Sequence, residues 1–166
     1  MRRIPGLLLS ASALALGGCL YGFGGGTGFP PHIKTVAVLP FENLTSEPTL
    51  TNEINRAVRE AVEGRLGLRA AGEAQADAVV KGTIQRYEPD IPIAFAGGRE
   101  QNVQVDRRKV QVVVQVQILD QSTGRVLWER PSLSVEGDYT SNEADGRKKA
   151  IERLITEIVD GAQSQW

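Results

Sequence analysis

Val110-Gln111-Val112-Val113-Val114-Gln115-Val116-Gln117-Ile118 is the stretch from which the architecture can be read. Val110, Val112, Val114, Val116 and Ile118 fall on one side of a period of two. Gln111, Gln115 and Gln117 fall on the other, with Val113 among them. That alternation predicts a β-strand with one buried and one polar face, in a register that a one-residue slip would invert. Asp120-Gln121-Ser122-Thr123-Gly124 then supplies hairpin-turn chemistry. The chain is expected to return antiparallel through Val126-Leu127-Trp128 towards Val135 and Tyr139, and Pro131 in that return marks an edge or a break. Upstream, Val103 and Val105 have the opposite parity, which places a turn or bulge around Asp106 to Arg108. Ala78, Val80, Gly82 and Ile84 alternate with Lys81, Thr83 and Gln85 as a preceding strand. Asp90 to Asn102, with little periodicity, is expected to be a long surface loop.

The elements outside this block are of two kinds. Thr35-Val36-Ala37-Val38-Leu39-Pro40-Phe41 is a continuous β-prone run of the sort buried on both faces. Leu50, Ile54, Val58, Val62 and Leu66 recur every fourth residue, with Ala57 and Ala61 beside them, and predict an amphipathic helix ending near Gly64 to Gly67. A short extended piece at Leu68 to Ala71 follows. Ile151, Leu154, Ile155, Ile158 and Val159 stripe a second helix, and Thr140-Ser141-Asn142-Glu143 resembles a capping box at its start. The order β-α-β-β-β-β-α, with two apolar helix stripes to cover, predicts an α+β fold. It is a two-layer sandwich with both helices on one face of a mixed, mostly antiparallel sheet.

The N-terminus reads as an export and lipidation signal. Arg2 and Arg3 precede an apolar run from Leu7 to Leu16 that is too short to span a bilayer. Leu16-Gly17-Gly18-Cys19 matches the lipobox of bacterial lipoproteins, and Cys19 is the only cysteine. The expected organisation is a signal peptide over 1–18, then a lipidated Cys19 with a Gly/Pro-rich tether over 19–33, then one α/β domain over 34–166. Lipidation means palmitate-type acylation: S-diacylglycerol and N-acyl chains, with no other cofactor. Leu20 after the cysteine resembles an outer-membrane address in enterobacterial sorting. Removal of the signal would leave 148 residues with a net charge of −3, enough for one core. That balance argues against nucleic acid as a partner.

Catalytic signatures are sparse. The single histidine, His32, sits in a Pro-Pro-His joint and reads as an exposed linker residue. There is no Gly-x-Ser-x-Gly elbow, and one Cys and one His cannot make a His/Cys metal set. The glycine cluster at Gly22 to Gly28 lacks the strand, helix and Lys-Ser/Thr of a phosphate loop. The expectation is a non-enzymatic protein.

Four segments carry a resemblance to a known family. They are Pro30-Pro31-His32-Ile33-Lys34-Thr35-Val36-Ala37-Val38, Phe41-Glu42-Asn43-Leu44-Thr45-Ser46-Glu47-Pro48, Ala76-Asp77-Ala78-Val79-Val80-Lys81-Gly82-Thr83-Ile84 and Val126-Leu127-Trp128-Glu129. Together they resemble the LptE-type LPS-assembly lipoproteins, in the divergent form found outside the enterobacteria. The resemblance implies a lipid-anchored protein on the periplasmic side of the outer membrane, inserted as a plug into an LptD-type β-barrel and binding lipopolysaccharide through basic residues. A barrel lumen is polar, so Gln111, Gln115 and Gln117 are the candidate barrel-facing residues; the alternative is an ordinary solvated sheet face. Lipid A phosphates call for guanidinium or ammonium groups, and Arg99, Arg107, Arg108 and Lys109 gather in one region with only Glu100 and Asp106 to oppose them. The alternative for these is a set of charges protecting a sheet edge. Ala37-Val38-Leu39-Pro40-Phe41-Glu42-Asn43 also resembles the opening of CsgG-like and LpoB-like lipoproteins, secretion-pore subunits or peptidoglycan-synthase activators.

Overall fold

The computed structural model describes residues 29–97 and 103–164. Its elements are β1 (Thr35–Val38), β2 (Glu42–Asn43), α1 (Thr49–Gly64), β3 (Arg69–Ala70), β4 (Ala78–Gly97), β5 (Val103–Asp120), β6 (Val126–Tyr139) and α2 (Glu143–Gln163). The sheet order is β3-β1-β4-β5-β6, with β2 on the flank of β4. The β1, β2 and β3 pairings are parallel, and β4-β5-β6 form an antiparallel meander. Apart from the two-residue β2 and a single 3-10 turn at Glu73–Gln75, this is the expected order, with both helices on one side.

The alternation in β5 explains why that side is covered. Val110, Val112, Val114, Val116 and Ile118 are essentially inaccessible, and they share one core with Leu50, Ile54, Val58 and Val62 of α1 and Leu154 and Ile158 of α2. Each such side chain contributes about 1.5–3 kcal/mol by leaving water. The α2–β6 seam depends on two glycines. Gly137 of β6 and Gly146 of α2 face each other so closely that a Cβ on Gly137 would lie 1.9 Å from the Gly146 carbonyl oxygen.

Several expectations need correction. Asp90 to Asn102 is not a loop throughout: β4 continues to Gly97 and β5 starts at Val103, so the two strands form a hairpin arm. Pro89 and Pro92 are compatible with this because no described strand pairs the outer side of β4 beyond Ile84, so no ladder partner misses their N–H. Register shifts fall at Glu88/Ile91 and Pro92/Ala94, beside these prolines. The expected bulge near Asp106 is present between the Ala94↔Arg107 and Phe95↔Val105 pairs. Pro131 lies in the edge strand β6, beside a register shift.

The start of α2 also differs from the expected box. Asn142 is the N-cap and accepts from the Ala144 N–H at 3.1 Å. The Glu143 carboxylate accepts instead from Arg147 Nη1 at 2.9 Å and from the Tyr87 hydroxyl. Packing also reaches further towards the N-terminus than the 34–166 span, since Phe29 and Ile33 belong to the core. Cys19, the signal and most of the tether lie outside the described residues.

Candidate functional site

The helix-free face of the sheet carries the polar side of the β5 alternation. Gln111 donates through Nε2 to Ser134 Oγ at 3.1 Å and to Glu136 Oε1 at 3.3 Å. Gln117 donates to Glu129 Oε2 at 3.1 Å. Gln115 between them is exposed, and Gln85 of β4 reaches the Pro131 carbonyl at 3.1 Å. Cross-strand hydrogen bonds thus join Gln111 and Gln117, with Gln115 exposed between them, to one face of amides, hydroxyls and carboxylates. Such a face can exchange hydrogen bonds with another polar wall at little desolvation cost, because each amide retains donors and acceptors.

The predicted cations sit where β6 ends and the arm begins, Arg107 and Lys109 on the side of Gln111 and Arg108, which shares the parity of Val110, on the other. Arg107 Nη2 is 2.9 Å from Asp138 Oδ2, Lys109 Nζ is 2.6 Å from Glu136 Oε1, and Arg108 Nη1 pairs with Asp90. All three cations are therefore matched by carboxylates distant in sequence, which corrects the expectation that only Glu100 and Asp106 oppose them. Arg99 lies outside the described residues. On the Arg108 side, Tyr139 donates to the Pro89 carbonyl at 2.8 Å, and burial pushes its phenol above the ordinary value.

The opposite end of the sheet holds a group that the sequence reading missed. His32 is half-exposed, yet its Nε2 is 3.0 Å from Asp120 Oδ2, and Asp120 is buried. Asp120 also accepts from Ser122 Oγ, Thr123 Oγ1 and the Ser122 N–H, at 2.7, 2.7 and 2.8 Å. Those hydroxyls above all, helped by His32, hold its carboxyl far below the usual range. Asp77 is lowered chiefly by the Lys34 N–H, then by the Thr35 hydroxyl and N–H. The entry to β1 is thus clasped to the β5–β6 turn. The Asp-Gln-Ser-Thr-Gly signature discloses Asp120 as a turn acceptor, but nothing local discloses a histidine 88 residues away.

The Lipopolysaccharide-assembly (LptE) family model matches residues 33–164. The chain belongs to the LptE family. That assignment spans all the described strands and both helices, and it favours the LPS-assembly reading over the pore-subunit or synthase-activator reading. Three solved structures share the fold of this LptE-family chain. The PelC dodecamer from Paraburkholderia phytofirmans has 20% identity and a TM-score of 0.51, covering 77% of this chain and 87% of that one. The hypothetical protein CT253 from Chlamydia trachomatis has 11% identity and a TM-score of 0.51, with 77% and 97% covered. Protein XCC0632 from Xanthomonas campestris has 15% identity and a TM-score of 0.51, with 76% and 81% covered. At these identities the likeness is one of fold. No curated protein sequence matches the chain. Among the described residues of the LptE-family domain, no helix is long and apolar enough to cross a membrane.

Proposed function

We propose that this protein is an outer-membrane lipoprotein, anchored through acyl chains on Cys19 at the periplasmic side, that assists lipopolysaccharide assembly as the plug partner of an LptD-type β-barrel. The observation that carries the reading is the family match over residues 33–164, joined to a helix-free face lined by Gln111, Gln115 and Gln117. A barrel interior is polar, and a sheet face that carries Gln111, Gln115 and Gln117 among charged neighbours such as Lys81 and Glu129 can meet it through hydrogen bonds and ion pairs. The role asks for no catalytic group; the chain would act by shape, hydrogen bonding and position. In this reading the phosphates of lipid A compete with Asp138 and Glu136 for Arg107 and Lys109 on the glutamine-bearing face, and with Asp90 for Arg108 on the other. Depletion tests the proposal. Loss of the protein should lower the amount of correctly assembled barrel and of surface lipopolysaccharide. Unchanged levels of both, in a strain with no second family member, would reject it.

A further inference from the structure

The fastening at the N-terminal end of β4 bears on the anchor proposed at Cys19. Phe29 and Ile33 are buried, and the Ile33 N–H donates to the Pro30 carbonyl at 2.9 Å. His32 meets Asp120, and Asp77 accepts from the Lys34 and Thr35 N–H groups. The chain is therefore bound to the domain from Phe29 onwards, and only the stretch from Cys19 to Phe29 separates it from the lipid. Fully extended, that stretch reaches at most about 35 Å. Along the 20 residues of β4, at ~3.3 Å each, the arm lies roughly 60 Å from the clasp. The clasp end is thus tied close to the anchored leaflet, and the arm approaches that leaflet only if the domain tilts steeply onto its side.

The sheet order lines up what the clasp end carries. Arg69 opens β3, Lys34 precedes β1, Asp77 precedes β4, Asp120 closes β5 and Val126 opens β6. At ~4.8 Å between strands, this is a row roughly 20 Å wide. Its two carboxylates turn inward: Asp120 is buried against the Ser122 and Thr123 hydroxyls, and Asp77 is taken up by main-chain N–H groups and the Thr35 hydroxyl. Lys34 and Arg69 are exposed and, among the described residues, have no carboxylate partner. At the arm end, by contrast, Arg107, Arg108, Lys109 and Arg147 are each matched by a carboxylate. Val126 adds an apolar side chain that is 42% exposed. Both helices also end here, Arg65 pairing with Asp160 at 3.8 Å. The partial negative charge of the two helix ends, about half a unit each, is smaller than the two full charges of Lys34 and Arg69.

The long faces suit a bilayer less well. α1 and α2 carry eight carboxylates against six cations, an excess that an anionic headgroup layer repels. The opposite face is the one given to the barrel in the function proposed above.

We infer that the end of the domain bearing Lys34, Arg69 and Val126 rests on the phosphate headgroups of the leaflet that holds the acyl chains of Cys19, the two cations supplying charge-assisted contacts. The inference rests on the Cys19 anchor and not on the barrel. A plug would keep the same end at the periplasmic rim, level with those headgroups.

The test uses the mature chain from Cys19 onwards, which keeps every described residue. Its single thiol is coupled to a maleimide lipid in vesicles of phosphatidylcholine and phosphatidylglycerol. Coupled in this way, the protein reports on its orientation whether or not cells lipidate Cys19, a separate question that the Cys19→Ala variant decides. A fluorescent amino acid is placed either at Gln121, beside the clasp, or at Ser141, between β6 and α2 at the other end; both positions are exposed. A headgroup-attached quencher should extinguish the fluorophore at Gln121 and leave the one at Ser141 bright. Changing Lys34 and Arg69 together to Ser should reduce the quenching at Gln121. Salt at about 1 M, where the Debye length falls to about 3 Å, should do the same on the wild-type chain. Equal quenching at the two positions, stronger quenching at Ser141, or none at either would overturn the inference. So would quenching at Gln121 that neither the double variant nor salt diminishes.

Discussion

Replacing Gly137 by Ala tests the α2–β6 seam on which the covered face depends. An ideal Cβ at Gly137 meets the Gly146 carbonyl oxygen at 1.9 Å and the Ala150 nitrogen at 2.7 Å. Both are backbone atoms, so no rotamer change can relieve the contact. Restoring ordinary van der Waals separation requires α2 to retreat by about 1.5 Å, which would part Leu154 and Ile158 from the valines of β5. Overpacking of this kind costs about 1–3 kcal/mol, and the rigidity of both partners puts Gly137→Ala near 3 kcal/mol or above. For a domain of this size that lowers the midpoint of thermal unfolding by roughly 10 °C. Gly64→Ala is the control: nothing lies within 4 Å of its Cβ position. Being at the end of α1, it should gain up to about 1 kcal/mol. Circular-dichroism melting of both variants measures the difference. A Gly137→Ala protein within about 0.5 kcal/mol of wild type would mean that the helix does not approach the sheet as described.

Further expectations concern the clasp, the cations and the anchor. Asp120→Ala should cost about 2 kcal/mol, the scale of lost hydrogen bonds to a charged acceptor, read by urea unfolding; a loss below the error of that measurement would refute the clasp. Asp77 and Asp120 both have folded-state pKa values below their unfolded ones. Their stabilisation is therefore full above the unfolded carboxylate value, about 4, and is lost as pH falls through the folded values. Acid unfolding of Asp120→Asn should correspondingly show a shallower pH dependence than wild type, and an unchanged slope would contradict the assignment. Changing Arg107, Arg108 and Lys109 together to Ser should leave the fold intact, since the pairs of Arg107 and Arg108 are exposed, that of Lys109 is only partly buried, and surface pairs contribute little. It should also weaken lipopolysaccharide binding and its salt dependence; a folded variant with wild-type affinity would exclude the cluster. Cys19→Ala should release mature protein from the membrane fraction or leave uncleaved precursor, and full retention with normal processing would rule out the anchor.

Much of the fold is legible in the sequence because its signals are periodic. The β5 alternation and the two helix stripes each repeat several times, so burial alone settles their faces. The arm was illegible for the opposite reason. Its prolines and broken parity read as loop chemistry, whereas an unpartnered edge tolerates both. The glutamine face could be placed from parity, but its cross-strand partners Ser134, Glu136 and Glu129 depend on register. Register likewise hid the ion pairs: Asp138 and Asp90 meet Arg107 and Arg108 only once β4, β5 and β6 are aligned. His32 reads as a linker residue because its partner Asp120 is brought to it by topology and not by any local pattern.

Mild detergent extraction followed by affinity purification of the lipidated protein decides whether it is held in a barrel. An LptD-type barrel from the same cells should co-purify in equal amount, and the complex should persist through size-exclusion chromatography. Recovery of the lipoprotein without the barrel, from cells in which the barrel is folded and abundant, would contradict it.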